Sequence, residues 1–67
     1  MKIVVNGKEE IIESEMTITD FLKNKKQDPK KVVIVYNGEV KDKAEWDQII
    51  LDVNDDLEVL KFVGGGW

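Results

Sequence analysis

At 67 residues the chain has room for one small domain with a compact core and none for a deep active site. It contains neither cysteine nor histidine, which excludes disulfides, thiolate metal sites, a cysteine nucleophile, and the commonest general base and metal ligand. Its 14 acidic and 10 basic side chains leave a net charge of −4, which argues against nucleic-acid binding and suits a solvated acidic surface or a positively charged protein partner.

Along the chain, an apolar β-branched run meets Asn6-Gly7 and a second run follows. Asn-Gly between two such runs is a strong hairpin signal because both turn positions favour positive φ, so the pattern predicts strands at 2–6 and 9–13. Thr17 with Asp20 three positions on makes a hydroxyl-plus-acid cap, after which Ile18, Phe21 and Leu22 share one helical face. The spacing predicts a helix over 18–26, with Lys23, Lys25 and Lys26 at its negative dipole end and Pro29 barring continuation. Val32-Val33-Ile34-Val35-Tyr36 is apolar without alternation, which predicts the central strand, and Asn37-Gly38 repeats the turn signal before a short return at Val40. The stretch around Trp46 has no sustained period. A lone tryptophan there can be a ligand platform, but closing one end of a small core is its commoner use. Ile49-Ile50-Leu51 predicts one more short strand, Asn54-Asp55-Asp56 a turn, and 57–63 the final strand. No apolar run reaches bilayer-spanning length, and the opening five residues are too short an apolar segment for a secretory signal. The expected location is therefore the cytoplasm, with no membrane partner.

Hairpin, helix, strand, return, final strand is the order of an α+β domain of β-grasp type: a mixed sheet with one main helix across one face, its first and last strands paired in parallel. The expected division is a β-grasp domain at 1–63 and a tail at 64–67. Alternation predicts an inward set of Ile3, Val5, Ile18, Leu22, Val33, Val35, Leu57 and Val59. It turns Val4, Leu60 and Phe62 to the other face as a candidate partner-docking patch, unless Trp46 or Tyr36 folds over them. The tail itself, Gly64-Gly65-Gly66, lacks the Cβ atoms that would hold it to a surface. It is expected to project as a thin thread able to enter a narrow passage.

These residues carry a family resemblance. Met1-Lys2-Ile3-Val4-Val5-Asn6-Gly7-Lys8, Phe21-Leu22, Val35-Tyr36-Asn37-Gly38-Glu39, Trp46, the spacing from Leu51 through Asn54-Asp55-Asp56 to Glu58-Val59, and the ending Phe62-Val63-Gly64-Gly65-Gly66 together resemble the ThiS-type sulfur carriers of thiamine biosynthesis, a ubiquitin-like family, over essentially the whole chain. The resemblance implies a protein co-substrate and not an enzyme. Its C-terminal glycine, Gly66 with Gly65 behind it, would be adenylated by a ThiF-like enzyme using ATP and Mg²⁺. A persulfide donor would convert it to a thiocarboxylate, and a ThiG-like thiazole synthase would consume the sulfur. Gly64 would help thread the tail, and the domain itself would hold no cofactor or metal.

One residue departs from that pattern. Family members end at glycine, whereas Trp67 follows Gly66, so the glycine carbonyl is an amide and cannot be activated as it stands. Removal of Trp67 by a peptidase, an artificial extension, and loss of the carrier role are the three alternatives. Beside the thiamine carrier stand a molybdopterin-type carrier, a ubiquitin-like protein modifier that passes the activated glycine to a lysine amine, and a β-grasp interaction module with no use for the glycines.

Overall fold

The computed structural model describes residues 1–13 and 15–62. Five strands form one sheet: β1 (Lys2–Val5), β2 (Lys8–Ile11), β3 (Val32–Tyr36), β4 (Glu39–Lys41) and β5 (Asp56–Lys61). One helix, α1 (Ile18–Asn24), crosses one face, and single 3-10 turns occupy Pro29–Lys31 and Lys43–Glu45. The strand order is β2-β1-β5-β3-β4, with β1 parallel to β5 and every other pair antiparallel. This is a ubiquitin-like β-grasp domain.

The middle strand is β5 and not β3, which corrects the reading of the apolar 32–36 run as central. β3 is interior, flanked by β4 and β5, and a continuous apolar run marks neither the middle of the sheet nor burial of both faces, since Val33 on the outer face is exposed. Both hairpin turns form as their Asn-Gly pairs require: Asn6 and Gly7 have φ of 51° and 81°, Asn37 and Gly38 of 49° and 86°. At the start of α1, Thr17 Oγ1 accepts from the Asp20 N–H at 3.1 Å, and the Asp20 carboxylate accepts from the Thr17 N–H at 3.3 Å. The helix stops two residues short of the predicted Lys26. Lys26 takes a left-handed φ of 56°, its N–H reaches Lys23 O, and the Gln27 N–H reaches Leu22 O, a Schellman termination built without glycine. The predicted strand at 49–51 shrinks to one bridge between Thr17 and Ile50, flanked by bonds from Ile18 N to Ile49 O and from Leu51 N to Met16 O. The second hairpin strand also begins and ends earlier than predicted, at Lys8–Ile11.

The core lies between the sheet and α1. Ile3, Ile12, Ile18, Phe21, Leu22, Val32, Ile34, Trp46, Leu51 and Leu57 are buried, with Val5 and Val59 half-buried against them. The predicted inward set is right for β1, α1 and β5 and wrong in phase for β3. Val32 and Ile34 face the helix, while Val33 is 37% exposed and Val35, one pleat further, shares its face. Register sets this phase: Ile34 lies opposite Val59 and Tyr36 opposite Leu57, both on the inner face of β5. Trp46 closes the core beneath α1, 4% exposed, its indole N–H donating to Lys41 O at 3.0 Å.

Candidate functional site at the end of the last strand

β5 is held from both sides by the asparagines of the two hairpin turns. On the β1 side, the Asn6 side chain continues the parallel ladder past the end of β1: its Oδ1 accepts from the Val59 N–H at 2.8 Å and its Nδ2 donates to Val59 O at 3.4 Å. On the β3 side, Asn37 Oδ1 accepts from the Asp56 N–H at 2.8 Å, and Asn37 Nδ2 donates to Asp55 at 3.2 Å. Asp55 is the hub of that corner, accepting also from Tyr36 Oη at 2.7 Å and from the Asp52 N–H at 2.8 Å. Burial first, then the hydrogen bond to Asp55 and the charges of Asp55 and Asp52, push the Tyr36 phenol up to about 12. Sequence reading found both turns and missed both side-chain grips. The doubled Asn-Gly is their trace, since asparagine is chosen there for its amide as well as for its backbone.

Beyond that grip the strand runs to Lys61, and the Phe62 N–H still donates to Lys31 O at 3.1 Å. The last described residues therefore leave the sheet anchored at its centre. The candidate sulfur-carrying and threading residues Gly64, Gly65 and Gly66, together with Trp67, lie outside the described residues.

The candidate docking residues are placed unevenly. Leu60 is 48% exposed on the face away from α1, directly opposite Val33, with Val35 and its partner Val40 on the same face and Val40 68% exposed. Neither Trp46 nor Tyr36 covers them, because Trp46 is buried on the helix side and Tyr36 turns to the core and Asp55. Val4 shares that face but is half-buried and sits level with Asp56, four residues along β5 from Leu60, or roughly 13 Å at strand rise. The structure thus separates Val4 from the patch and puts Val33 and Val40 in its place. Phe62, 48% exposed, stands at the rim, bordering a furrow on the helix side with Lys26, Lys31 and Lys61.

Among the described residues no group of three His, Cys, Asp or Glu side chains could hold a metal ion, and no helix is long and apolar enough to cross a membrane. The site is thus a strand end, two faces beside it and a glycine sequence after it.

Known proteins resemble this chain in sequence and in fold. The chain is 35% identical over 66 residues to a protein named thiazole synthase from Paramagnetospirillum magneticum, covering 98% of this chain and only 20% of that relative. It is 29% identical over 62 residues to ycf40 of Trieres chinensis, covering 92% of this chain and 85% of that one. The crystal structure of the thiamine biosynthesis protein ThiS from Geobacter metallireducens superposes with a TM-score of 0.85 at 30% identity, covering 98% of this chain and all of that one. A solution structure from the same organism, named as a thiamine biosynthesis protein, gives 0.82 at 30% identity, covering 100% and 90%. The ThiS family matches residues 2–66, from the first strand through the last glycine, and the chain belongs to the ThiS family.

Proposed function

We propose that this protein is a sulfur carrier of thiamine biosynthesis, acting as a co-substrate whose Gly66 carboxylate is activated and thiolated by partner enzymes. The observation that carries the reading is the family match, which runs to Gly66 and stops before Trp67. The central strand supports it, anchored by Asn6 and Asn37 and pointing its chain at three glycines. Fixing strand β5 sets where the thread begins, and the glycines after it leave the thread thin enough for a narrow passage in the partner's site.

In the proposed sequence a ThiF-like enzyme, using ATP and Mg²⁺, lets a Gly66 carboxylate oxygen attack the α-phosphate of ATP and expel pyrophosphate. A persulfide sulfur then displaces AMP from the acyl carbon to give an acyl disulfide, and a thiolate attacking the donor-side sulfur breaks the S–S bond, releasing the thiocarboxylate while donor and thiol leave as a disulfide. The acceptor is a thiazole-forming enzyme of ThiG type, a reading supported by the similarity to a fifth of a protein named thiazole synthase. Leu60 with Val33, Val35 and Val40 forms the apolar surface offered to the adenylating enzyme, and Phe62 guards the passage from sheet to tail. All three glycines, Gly64, Gly65 and Gly66, pass where a side chain would not.

Trp67 blocks this chemistry, because an amide at Gly66 has no carboxylate oxygen to present and an indole must enter a channel shaped for glycine. The test compares protein ending at Gly66 with protein carrying Trp67, each incubated with the adenylating enzyme, ATP, Mg²⁺ and a sulfur donor. The Gly66 form is expected to support ATP–pyrophosphate exchange and to exchange one oxygen for one sulfur by mass, and the longer form to do neither until a peptidase acts. Equal activation of both would sink the block; inactivity of both would sink the carrier reading.

A further inference from the structure

The chain is acidic as a whole, yet the helix-side furrow at the base of the tail is lined by lysines. Lys8, Lys25 and Lys61 wall it over a floor of Val5, Phe21 and Val59, and it continues past Gln27 to Lys26 and Lys31. Two acids also border it, Glu10 and Asp28, and both are engaged. Glu10 pairs with Lys25, and Asp28 Oδ1 accepts from the Lys30 N–H at 2.9 Å. Among the described residues Lys8, Lys26, Lys31 and Lys61 have no ion-pair partner. Five lysines, Lys8, Lys25, Lys26, Lys31 and Lys61, against the carboxylates of Glu10 and Asp28 leave a positive excess at this end of a molecule of net charge −4.

The backbone beside the furrow is also unfilled. Odd-numbered residues of β5 direct their groups to the β1 side, as the bonds to Asp55 O, Leu57 O and Val59 N show, and even-numbered ones direct theirs to β3. β1 ends at Val5 and the Asn6 amide covers Val59, so the next pair of groups on that edge, at Lys61, meets no strand among the described residues. An apolar floor between lysine walls, with the backbone groups of Lys61 at its edge, has the chemistry to take an extended acidic segment with apolar side chains.

Resting on the carrier reading, we propose that this furrow docks an acidic extended segment of the adenylating enzyme, steering the tail into that enzyme's site. Opposite charges at the tail root act before contact, so their effect falls on the association rate and on its dependence on salt. The neighbouring apolar patch around Leu60 acts after contact, on dissociation.

The test uses protein ending at Gly66, unaltered or carrying Lys26→Glu, Lys31→Glu and Lys61→Glu together, with the adenylating enzyme as the binding probe in stopped-flow experiments from low to high salt. A second triple variant with Gln at the same positions guards against misfolding of the first, and thermal melts check both. The expected result is an association rate for the Glu variant lower by about tenfold or more at low salt. The Gln variant should fall between, and the rates should converge as salt rises. Equal rates and equal salt slopes for all folded forms would overturn the inference while leaving pyrophosphate exchange, and with it the carrier reading, intact. Unaltered protein that neither binds nor exchanges would remove the reading and the inference together. Lysine-dependent binding to heparin or to phosphatidylserine vesicles with unchanged enzyme association would assign the furrow to other polyanions and overturn the proposal.

Discussion

The two faces of the sheet use the same strands and the same alternation and end in opposite states. Under α1, Ile3, Ile34 and Leu57 are fully buried against Ile18, Phe21 and Leu22, and Trp46 seals the edge with its one polar group bonded. On the other side Leu60, Val33 and Val40 are exposed, with neither Trp46 nor Tyr36 folded over them. A domain of this length needs the first face to fold at all. The second leaves apolar side chains exposed, and it is this face that the proposed docking to the adenylating enzyme would use.

The comparison breaks most visibly if the buried face is hollowed. Ile34→Ala removes a fully buried side chain at the centre of the core and should cost about 2–5 kcal/mol, enough to unfold much of a chain this small. Urea unfolding of protein ending at Gly66, in which Trp46 is the single tryptophan, reads this by fluorescence. A loss below about 1 kcal/mol would mean the core repacks freely and the contrast between the faces is overstated.

Leu60→Ala is the counterpart on the open face. With Leu60 half exposed, the loss of stability should stay below about 1 kcal/mol, while binding to the adenylating enzyme should weaken by about 1–3 kcal/mol. Phe62→Ala should follow the same pattern. Calorimetric titration alongside thermal melts separates the two quantities, and a large drop in melting temperature with unchanged affinity would return either residue to the core.

The sequence made one face far easier to read than the other. Alternation of Ile3 with Val5 and of Leu57 with Val59, the i, i+3, i+4 spacing in α1 and the two Asn-Gly turns were enough to place the helix face and the β-grasp order. The phase of β3 was not available from five consecutive apolar residues, because a run without alternation carries no inside or outside. Only pairing with β5, which puts Ile34 against Val59, resolves it. The same error hid Val33 from the open patch, and Val4 was included because alternation assigns a face without a distance along the strand. The lysine furrow escaped because Lys25 and Lys26 read naturally as helix-dipole partners. Lys8, Lys31 and Lys61 join them only when the sheet is built.

The Tyr36–Asp55 corner tests how much the end of β5 depends on side chains. Tyr36→Phe deletes one hydrogen bond to a carboxylate that keeps two other donors, the Asp52 N–H and Asn37 Nδ2, and should cost about 1 kcal/mol. The pH dependence has a definite sign. The folded phenol titrates near 12, above the ordinary value of 10, so the native state keeps its proton where the unfolded chain has lost it. The contribution is therefore complete below pH 10 and disappears as pH rises to about 12. Chemical denaturation across that window should show unaltered protein losing stability and the Phe variant losing less; parallel curves would mean that Tyr36 ionises no differently when folded.

The smallest effect concerns the end of α1 and the furrow above it. Lys26 holds a left-handed φ of 56° in the Schellman position where glycine is the usual occupant, and a residue with a Cβ pays roughly 1 kcal/mol or more to stand there. Lys26→Gly relieves that strain but gives the unfolded chain more freedom, so the net gain should be at most about 1 kcal/mol. It also deletes one furrow cation, so stability and enzyme association should move in opposite directions: a slightly higher melting temperature with slower association at low salt. Lys26→Asn separates the contributions, because asparagine tolerates the left-handed region yet carries no charge. If both variants melt higher and associate as fast as unaltered protein, the lysine serves neither the helix nor the furrow. If both melt higher and associate more slowly, the strain at this turn is retained for the charge it places beside the tail.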